Sequence, residues 1–353
     1  MADDAGATVS QMQSLCFQNE DRTVILIDVP RSIEEAQVLA SNLEAGSTPL
    51  NRLVASKPVE EPFKTPVPKY SAGGSVDSVS DLMSGAAASN ALEVLRKSYS
   101  GSYCLPRIVS SLRPDGVWNG QKRKRADSVV QDGHSHGEDG QVRIPEGSVH
   151  LHGTISSERD RFLREAPSFD LIVLDPPWPN RSARRKKHSY KTANNLDELR
   201  GTLSLIPIAT HLTSDGLVAV WVTNKASVVD LMTGPKGIFA EWGLEVVDEW
   251  TWLKVTTSGE PIVDINSSWR KPWERILIAR RRKAKIALLS RGRVLVSVPD
   301  LHSRKPNLRG LFEDVLAPGY MGLEIFARNL TAGWWSWGDE VLKFQQSEQW
   351  VEP

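Results

Sequence analysis

From about residue 146 onward, short β-rich runs alternate with helical segments. That alternation restricts the chain to a mostly parallel sheet covered by helices. The strand expectations are 169–174, 217–222, 244–255, 275–279, 293–298 and 322–327. Helices are expected over 195–212, weakened at Pro207 and stopped near Gly216, and over 225–233 and 306–316, the last stopped by Pro318-Gly319. No helical pattern separates 244–255 from 275–279, so these two should pair as an antiparallel hairpin with a long loop. The fold class is therefore α/β.

Upstream the texture differs. RTVILI at 22–27 reads as a strand and SIEEAQVLASNLEAG as a helix ending at Gly46, a small module over 1–46. Residues 47–90 are rich in Pro, Ser, Gly and Ala, which buries too little to order itself and reads as a flexible linker. Helical periodicity returns after residue 90, and a polar, basic stretch then runs to 145. The division expected is thus 1–46, 47–90, 91–145 and a C-terminal domain over 146–353. At 353 residues with 40% hydrophobic content, a core large enough for that domain is available.

Net charge excludes one easy argument, because 43 basic and 43 acidic residues cancel. A polyanionic partner must then be read from local clusters. Cys16 and Cys104 stand far apart without metal-ligand spacing, which fits a reducing compartment and neither a disulfide framework nor a zinc site. His134 and His136 have no flanking ligands, and no metal is expected. The acidic start MADDAGATVS has no apolar core, and no apolar run approaches about 20 residues, so neither secretion nor membrane spanning is expected.

The first strand of the C-terminal domain runs directly into a chemical motif, LIVLDPPW at 171–178. Ligands in open α/β sheets bind beyond the carboxyl ends of the strands, and Asp175 occupies such an end. Pro176 and Pro177 lack N–H groups, so the loop offers carbonyl oxygens and a carboxylate without competing donors. A planar NH2 group suits such acceptors, and Trp178 can stack on the ring that carries it. The constellation reads as a holder for the exocyclic amine of a nucleobase. The competing reading is a turn in which Asp175 binds its own backbone and Trp178 fills a core edge.

Basic residues follow at once. Arg181, Arg184, Arg185, Lys186, Lys187 and Lys191 occupy eleven residues without an acid. A second group, Arg270, Lys271, Arg275, Arg280, Arg281, Arg282, Lys283 and Lys285, flanks KPWE at 271–274. Basic side chains beside aromatic ones suit a phosphate backbone with a splayed base, although solvated charged faces look the same in sequence. The run QKRKR at 121–125 is either a nuclear-import signal or part of a soluble linker.

Five separated blocks, DPPW at 175–178, WVTN at 221–224, KPWE at 271–274, HSRKP at 302–306 and LEIFARNLTAGWWSWGDEVLKF at 323–344, resemble the MT-A (seventy-kilodalton) family of adenine N6-methyltransferases. The likeness spans about 169–346 and is strongest to the branch called methyltransferase-like protein four. It implies a Rossmann-like fold with permuted motif order, S-adenosylmethionine as methyl donor and the 6-amino nitrogen of adenine as acceptor. By the same resemblance, Asp175 and the Pro177 carbonyl accept the two amine hydrogens. Lys305 partners the methionine carboxylate, and Asp175, Glu324, Arg328 and Asn329 lie at cofactor positions. Glu340 falls near the ribose, and Asp339 stands where Asn is usual. Tyr190 and Trp273 match positions that enclose the base, the latter where Tyr is commoner.

Bottom-up, no G-x-G-x-x-G marks a cofactor loop. Asn224 is either a substrate contact or a cap of the helix beginning at Lys225, and Trp334, Trp335 and Trp337 also suit core packing. The branch favours RNA, specifically 2′-O-methylated adenosine in a small nuclear RNA such as U2. DNA adenine is the runner-up, and a catalytically silent nucleic-acid-binding subunit is the alternative of another class. An adenine inside a duplex hides its amine, so the target must be single-stranded, bulged or flipped. Location in the nucleus is expected, with the cytoplasm left open, and no obligate protein partner is expected.

Overall fold

The structure is a computed structural model and describes residues 12–44, 48–49, 51–64, 79–109, 142–179, 195–267, 270–286, 292–317 and 319–352. Its strands are β1 (Leu15–Gln18), β2 (Val24–Ile27), β3 (Arg52–Ala55), β4 (Ile108–Val109), β5 (Val149–His152), β6 (Phe169–Leu174), β7 (Leu212–Val222), β8 (Leu244–Lys254), β9 (Trp273–Arg281), β10 (Val294–Ser297), β11 (Gly322–Ile325), β12 (Trp335–Gly338) and β13 (Trp350–Val351). The helices are α1 (Val29–Glu35), α2 (Ala40–Glu44), α3 (Val79–Ser98), α4 (Ile155–Glu165), α5 (Leu196–Ser204), α6 (Ile208–His211), α7 (Ala226–Thr233) and α8 (Ile238–Glu241).

Ten strands form one sheet in the order β1-β2-β10-β8-β9-β7-β6-β11-β12-β5, and β13-β3-β4 form a small second sheet. In the large sheet only β1 and β9 run against their neighbours. The expected β8–β9 hairpin is present, with Trp252 opposite Glu274. Central strands are apolar on both faces, as buried parallel strands must be. In β6, Ile172 and Leu174 pack into one cluster with Leu323, Ile325 and Trp337. Leu171 and Val173 pack into another with Trp221, Trp252 and Leu295.

Several boundaries differ from expectation. The helix over 195–212 ends at Ser204, and after Pro207 only one further turn forms before Leu212 opens β7. Over 306–316 a single 3₁₀ turn replaces the expected helix. Asn307 explains this, since its side-chain oxygen accepts from the Arg309 N–H at 2.9 Å and its amide donates to the Thr331 hydroxyl at 2.8 Å. Such side-chain bonds compete with helical ones.

The N-terminal residues depart most from expectation. Expected as a separate module, the first residues instead supply β2, which pairs in parallel with β10 inside the main sheet. Asp28 caps α1 by accepting from the Arg31 N–H at 2.9 Å, and α1 adds further cover. The expected 47–90 linker contains β3 and the first half of α3. Ala88, Ala91 and Leu95 of α3 are fully buried against Val24, Leu26, Leu253, Trp273 and Val296. A composition rich in Ser and Ala hid this helix because small residues carry little hydropathy yet allow close packing. Buried Arg275 ties α3 to the sheet through the Ser80 hydroxyl and through Asp81 and Glu249, at 3.9 and 3.5 Å. No helix among the described residues is long and apolar enough to cross a membrane.

Candidate active site

At the carboxyl ends of the parallel strands an open cleft of about 490 Å³ is lined by Asp175, Trp221, Lys305, Glu324, Arg328 and Asn329, with Ser303, Pro306, Asn307 and Phe326. Its position follows from strand parity. Val173 pairs with Glu324 across β6 and β11, and Asp175, two residues beyond Val173, points to the same side. Asp175 N–H donates to the Ile325 carbonyl at 3.3 Å, which joins the ends of the two strands.

The reversed direction of β9 brings Glu274, at its start, to this same end of the sheet. A row of alternating charge results. Lys254 contacts Glu274, Glu274 contacts Lys305 at 2.9 Å, Lys305 lies 3.4 Å from one Asp175 oxygen, and Arg328 lies 3.3 Å from the other. Arg328 also reaches Glu340 at 3.4 Å, and Glu340 reaches Lys343 at 3.0 Å. Burial alone would lower the Lys305 pKa, but Asp175 and Glu274 outweigh it and hold the ammonium above its ordinary value. Burial would raise the Glu274 pKa; Lys254 and Lys305 overcome this and hold it well below the carboxylate range. The Lys305 ammonium also sits 5.2 Å from the Trp221 ring centroid. Glu324 is the exception. Burial, reinforced by Asp175, pushes its pKa up to about 8.

Two non-glycine residues in left-handed conformation, Ser303 at φ 71° and Phe326 at φ 60°, both line the cleft. Strain of this kind persists where the surroundings enforce it and gathers at functional sites.

The D-P-P-W loop is built differently from the expectation. Trp178 is buried in the cluster on the opposite face of the sheet from the cleft, and its indole N–H donates to the Trp221 carbonyl at 2.7 Å. The ring thus anchors the loop rather than lining the cleft. The Pro176 carbonyl accepts from the Trp178 N–H at 2.8 Å. Pro177 is half-buried, and its carbonyl accepts no bond among the described residues. The acceptors at the strand end are therefore the Pro177 oxygen and the Asp175 carboxylate, which Lys305 and Arg328 already approach.

Other expected site residues divide. Trp273 is 2% exposed and packs against α3 and β10, which leaves no free ring face. Asn224 does not cap α7; its amide donates to the Trp273 carbonyl at 2.7 Å and its side-chain oxygen is buried without a partner among the described residues. Lys271 approaches the Trp273 ring, 5.5 Å from its centroid. Glu340 joins the cleft only through Arg328, and Asp339 is exposed. Arg184, Arg185, Lys186, Lys187 and Tyr190 lie outside the described residues, as do Gln121–Arg125, His134 and His136. Glu274 and Lys254 were missed as site residues. Only the hairpin pairing places them here, although the KPWE block held the signal.

Whether S-adenosylmethionine fits can be judged from the donor set. The ligand is a zwitterion joined to a diol and a purine, and the cleft offers one ammonium, two guanidiniums, two acids, two amides and apolar rims from Val173, Leu308 and Phe326. The chemistry of this donor set matches the ligand. Among the described residues no group of His, Cys, Asp or Glu is arranged to hold a metal ion.

The family model described as MT-A70 matches residues 169–340. The chain is 62% identical to an N6-methyladenosine RNA methyltransferase MTA1 of Cryphonectria parasitica, over 97% of this chain and 95% of that protein. It is 47% identical to a protein of the same name from Pyricularia oryzae, over 95% and 96% of the two chains. Against the N(6)-adenine-specific methyltransferase METTL4 of Mus musculus it is 37% identical, over 52% of this chain and 40% of that protein.

Proposed function

The chain belongs to the MT-A70 family, in the branch that includes METTL4, and is an adenine N6-methyltransferase of nucleic acid; from that premise we propose that its acceptor is adenosine in RNA. Members of the family use S-adenosylmethionine, which supplies the methyl group as an activated sulfonium.

The observation that carries the chemistry is the pair of acceptors at the end of β6. The lone pair of adenine's 6-amino nitrogen is delocalised into the ring, which makes it a poor nucleophile. Asp175 and the Pro177 carbonyl accept the two amine hydrogens, which draws the nitrogen out of plane and turns its lone pair toward the cleft. Lys305 and Arg328 hold one carboxylate oxygen each. The carboxylate is thereby fixed before the base arrives and faces the positive charge that develops on nitrogen. Lys305 also offers an ammonium to the methionine carboxylate, Arg328 and Asn329 line the same wall, and Glu340 acts by orienting Arg328. The basic run 181–191 follows the loop directly in sequence and is the segment we assign to phosphate contact.

RNA is favoured because the two relatives matched over nearly their whole length bear the name of RNA methyltransferases. The narrower reading, a 2′-O-methylated adenosine of a small nuclear RNA such as U2, rests on the METTL4 branch. It carries with it a nuclear location, for which QKRKR at 121–125 would be the signal; alanine replacement of those basic residues should then exclude a fluorescent fusion from the nucleus. The substrate test is incubation of the full chain with labelled S-adenosylmethionine and matched oligonucleotides of DNA, RNA and 2′-O-methylated RNA, followed by digestion to nucleosides. Labelled N6-methyladenosine from RNA is expected. Label confined to the DNA oligonucleotide would replace the RNA reading with its runner-up.

A further inference from the structure

Lys305 reaches the cleft from a loop whose shape is set in part by residues outside the family match. Arg107, Asp300 and Arg304 form a buried triad. Asp300 accepts from Arg304 at 2.5 Å and lies 3.8 Å from Arg107. Their side chains are 2%, 0% and 0% exposed. Arg107 donates to the carbonyls of Val298 at 2.8 Å, Pro299 at 3.0 Å and Ser56 at 3.4 Å. Arg304 donates to the Val54 carbonyl at 2.9 Å, and the Ser56 N–H donates to Asp300 at 2.6 Å. The strand β3 and the approach to β4 are in this way stitched to the segment that follows β10.

That segment delivers two things to the cleft. One is the Lys305 ammonium, a single residue after Arg304. The other is the Ser303 carbonyl, which accepts from Arg328 at 2.9 Å through the same nitrogen that faces Asp175. Ser303 stands in the left-handed region between two members of the triad, so the loop does not hold this shape by its own preference. Burying three charges is a poor way to gain stability, and its attested use is to select one arrangement among several. Arg107 serves three carbonyls with one planar fork, which a lysine cannot do.

We propose that the Arg107–Asp300–Arg304 triad is a positioning device for the methyl-donor wall of the cleft. The segment over 51–109, outside the matched 169–340, then works in cofactor binding. Arg107 and Asp300 do not line the cleft; together with Arg304, which does, they fix the corner from which Lys305 and the Ser303 carbonyl act. This inference rests on the reading of Lys305 as a cofactor contact.

The test uses full-length variants Arg107→Met, Lys305→Met and Arg107→Met/Ser303→Gly, with calorimetric titration of S-adenosylmethionine and anisotropy titration of RNA. Arg107→Met should weaken S-adenosylmethionine binding about ten- to a hundred-fold, the scale of a small misplacement of binding groups, while RNA affinity holds. Adding Ser303→Gly should recover part of the loss, because glycine adopts the left-handed corner without the bracing. A purely structural Arg107 would weaken both ligands together and show no recovery, and that result overturns the proposal. Undiminished binding in Arg107→Met with loss in Lys305→Met overturns the positioning role alone. Full binding in Lys305→Met overturns the cofactor reading itself. Should the methionine variant not fold, Arg107→Lys keeps the buried cation without the fork and carries the same expectation at smaller amplitude.

Discussion

On the side of the cleft formed by β6 and the β8–β9 hairpin, Asp175 and Glu274 alternate with Lys254 and Lys305, and Arg328 reaches Asp175 from the segment after β11. On the side formed by β11, Glu324 faces the same space with nothing among the described residues to offset its burial. The two walls therefore hold different chemical species at neutral pH. The first is a row of fixed charges, able to grip a carboxylate and to accept from an amine. The second presents a carboxylic acid, which donates as well as accepts. One cleft can thus bind a zwitterion without filling its floor with uncompensated charge.

The sharpest way to break this contrast is at Asp175. Asp175→Asn keeps the shape but replaces one acceptor oxygen by an NH2 donor that faces Lys305, Arg328 or the substrate amine. Methyl transfer should fall by about a hundred-fold or more, with thermal unfolding showing that the fold persists. Substantial turnover would return the aspartate to a loop-bracing role. Glu274→Gln should have the next largest effect. It strips Lys305 and Lys254 of a shared counter-charge and should raise KM for S-adenosylmethionine about ten-fold, with a stability loss of about 1–2 kcal/mol, modest because the Glu274 side chain is 27% exposed and screened. Unchanged kinetics would remove the hairpin from the site.

The third effect concerns pH. Glu324 has a folded pKa near 8 against an ordinary 4.5, so between those values the folded protein binds the extra proton and stability falls as pH rises. Melting temperatures of the wild type should therefore decline relative to Glu324→Gln as pH climbs from about 4.5 through about 8. Parallel curves would mean that Glu324 finds a cation and that the two walls are alike.

The difference between walls was only half legible in the sequence. Asp175 stood out because a carboxylate and two donor-free residues directly follow an apolar strand, a pattern complete within eight residues. Glu274 did not, since its place depends on β9 running against its neighbours, and charge row and hairpin register appear only together. The two tryptophans expected to handle the base show the same limit. Motif position says that Trp178 and Trp273 matter, but the side of the sheet on which each ring is buried is fixed by packing against the Trp221 carbonyl and against α3. The triad around Arg107 joins residues 244 apart, as in the Ser56–Asp300 bond, and no local pattern announces such a contact.

By itself the sequence determined the α/β class, the order of the central strands along the chain and the place of the D-P-P-W loop at the end of β6, because hydrophobic period and backbone chemistry act over a few residues. Only the tertiary structure decided that β2 and α3 complete the sheet and its core, that Glu274 meets Lys305, and that Trp178 faces away from the cleft. Those outcomes depend on which buried charges and rings find partners across the fold. That pairing is a property of three-dimensional closure, in which strand direction and register place residues far apart in the chain within hydrogen-bond reach.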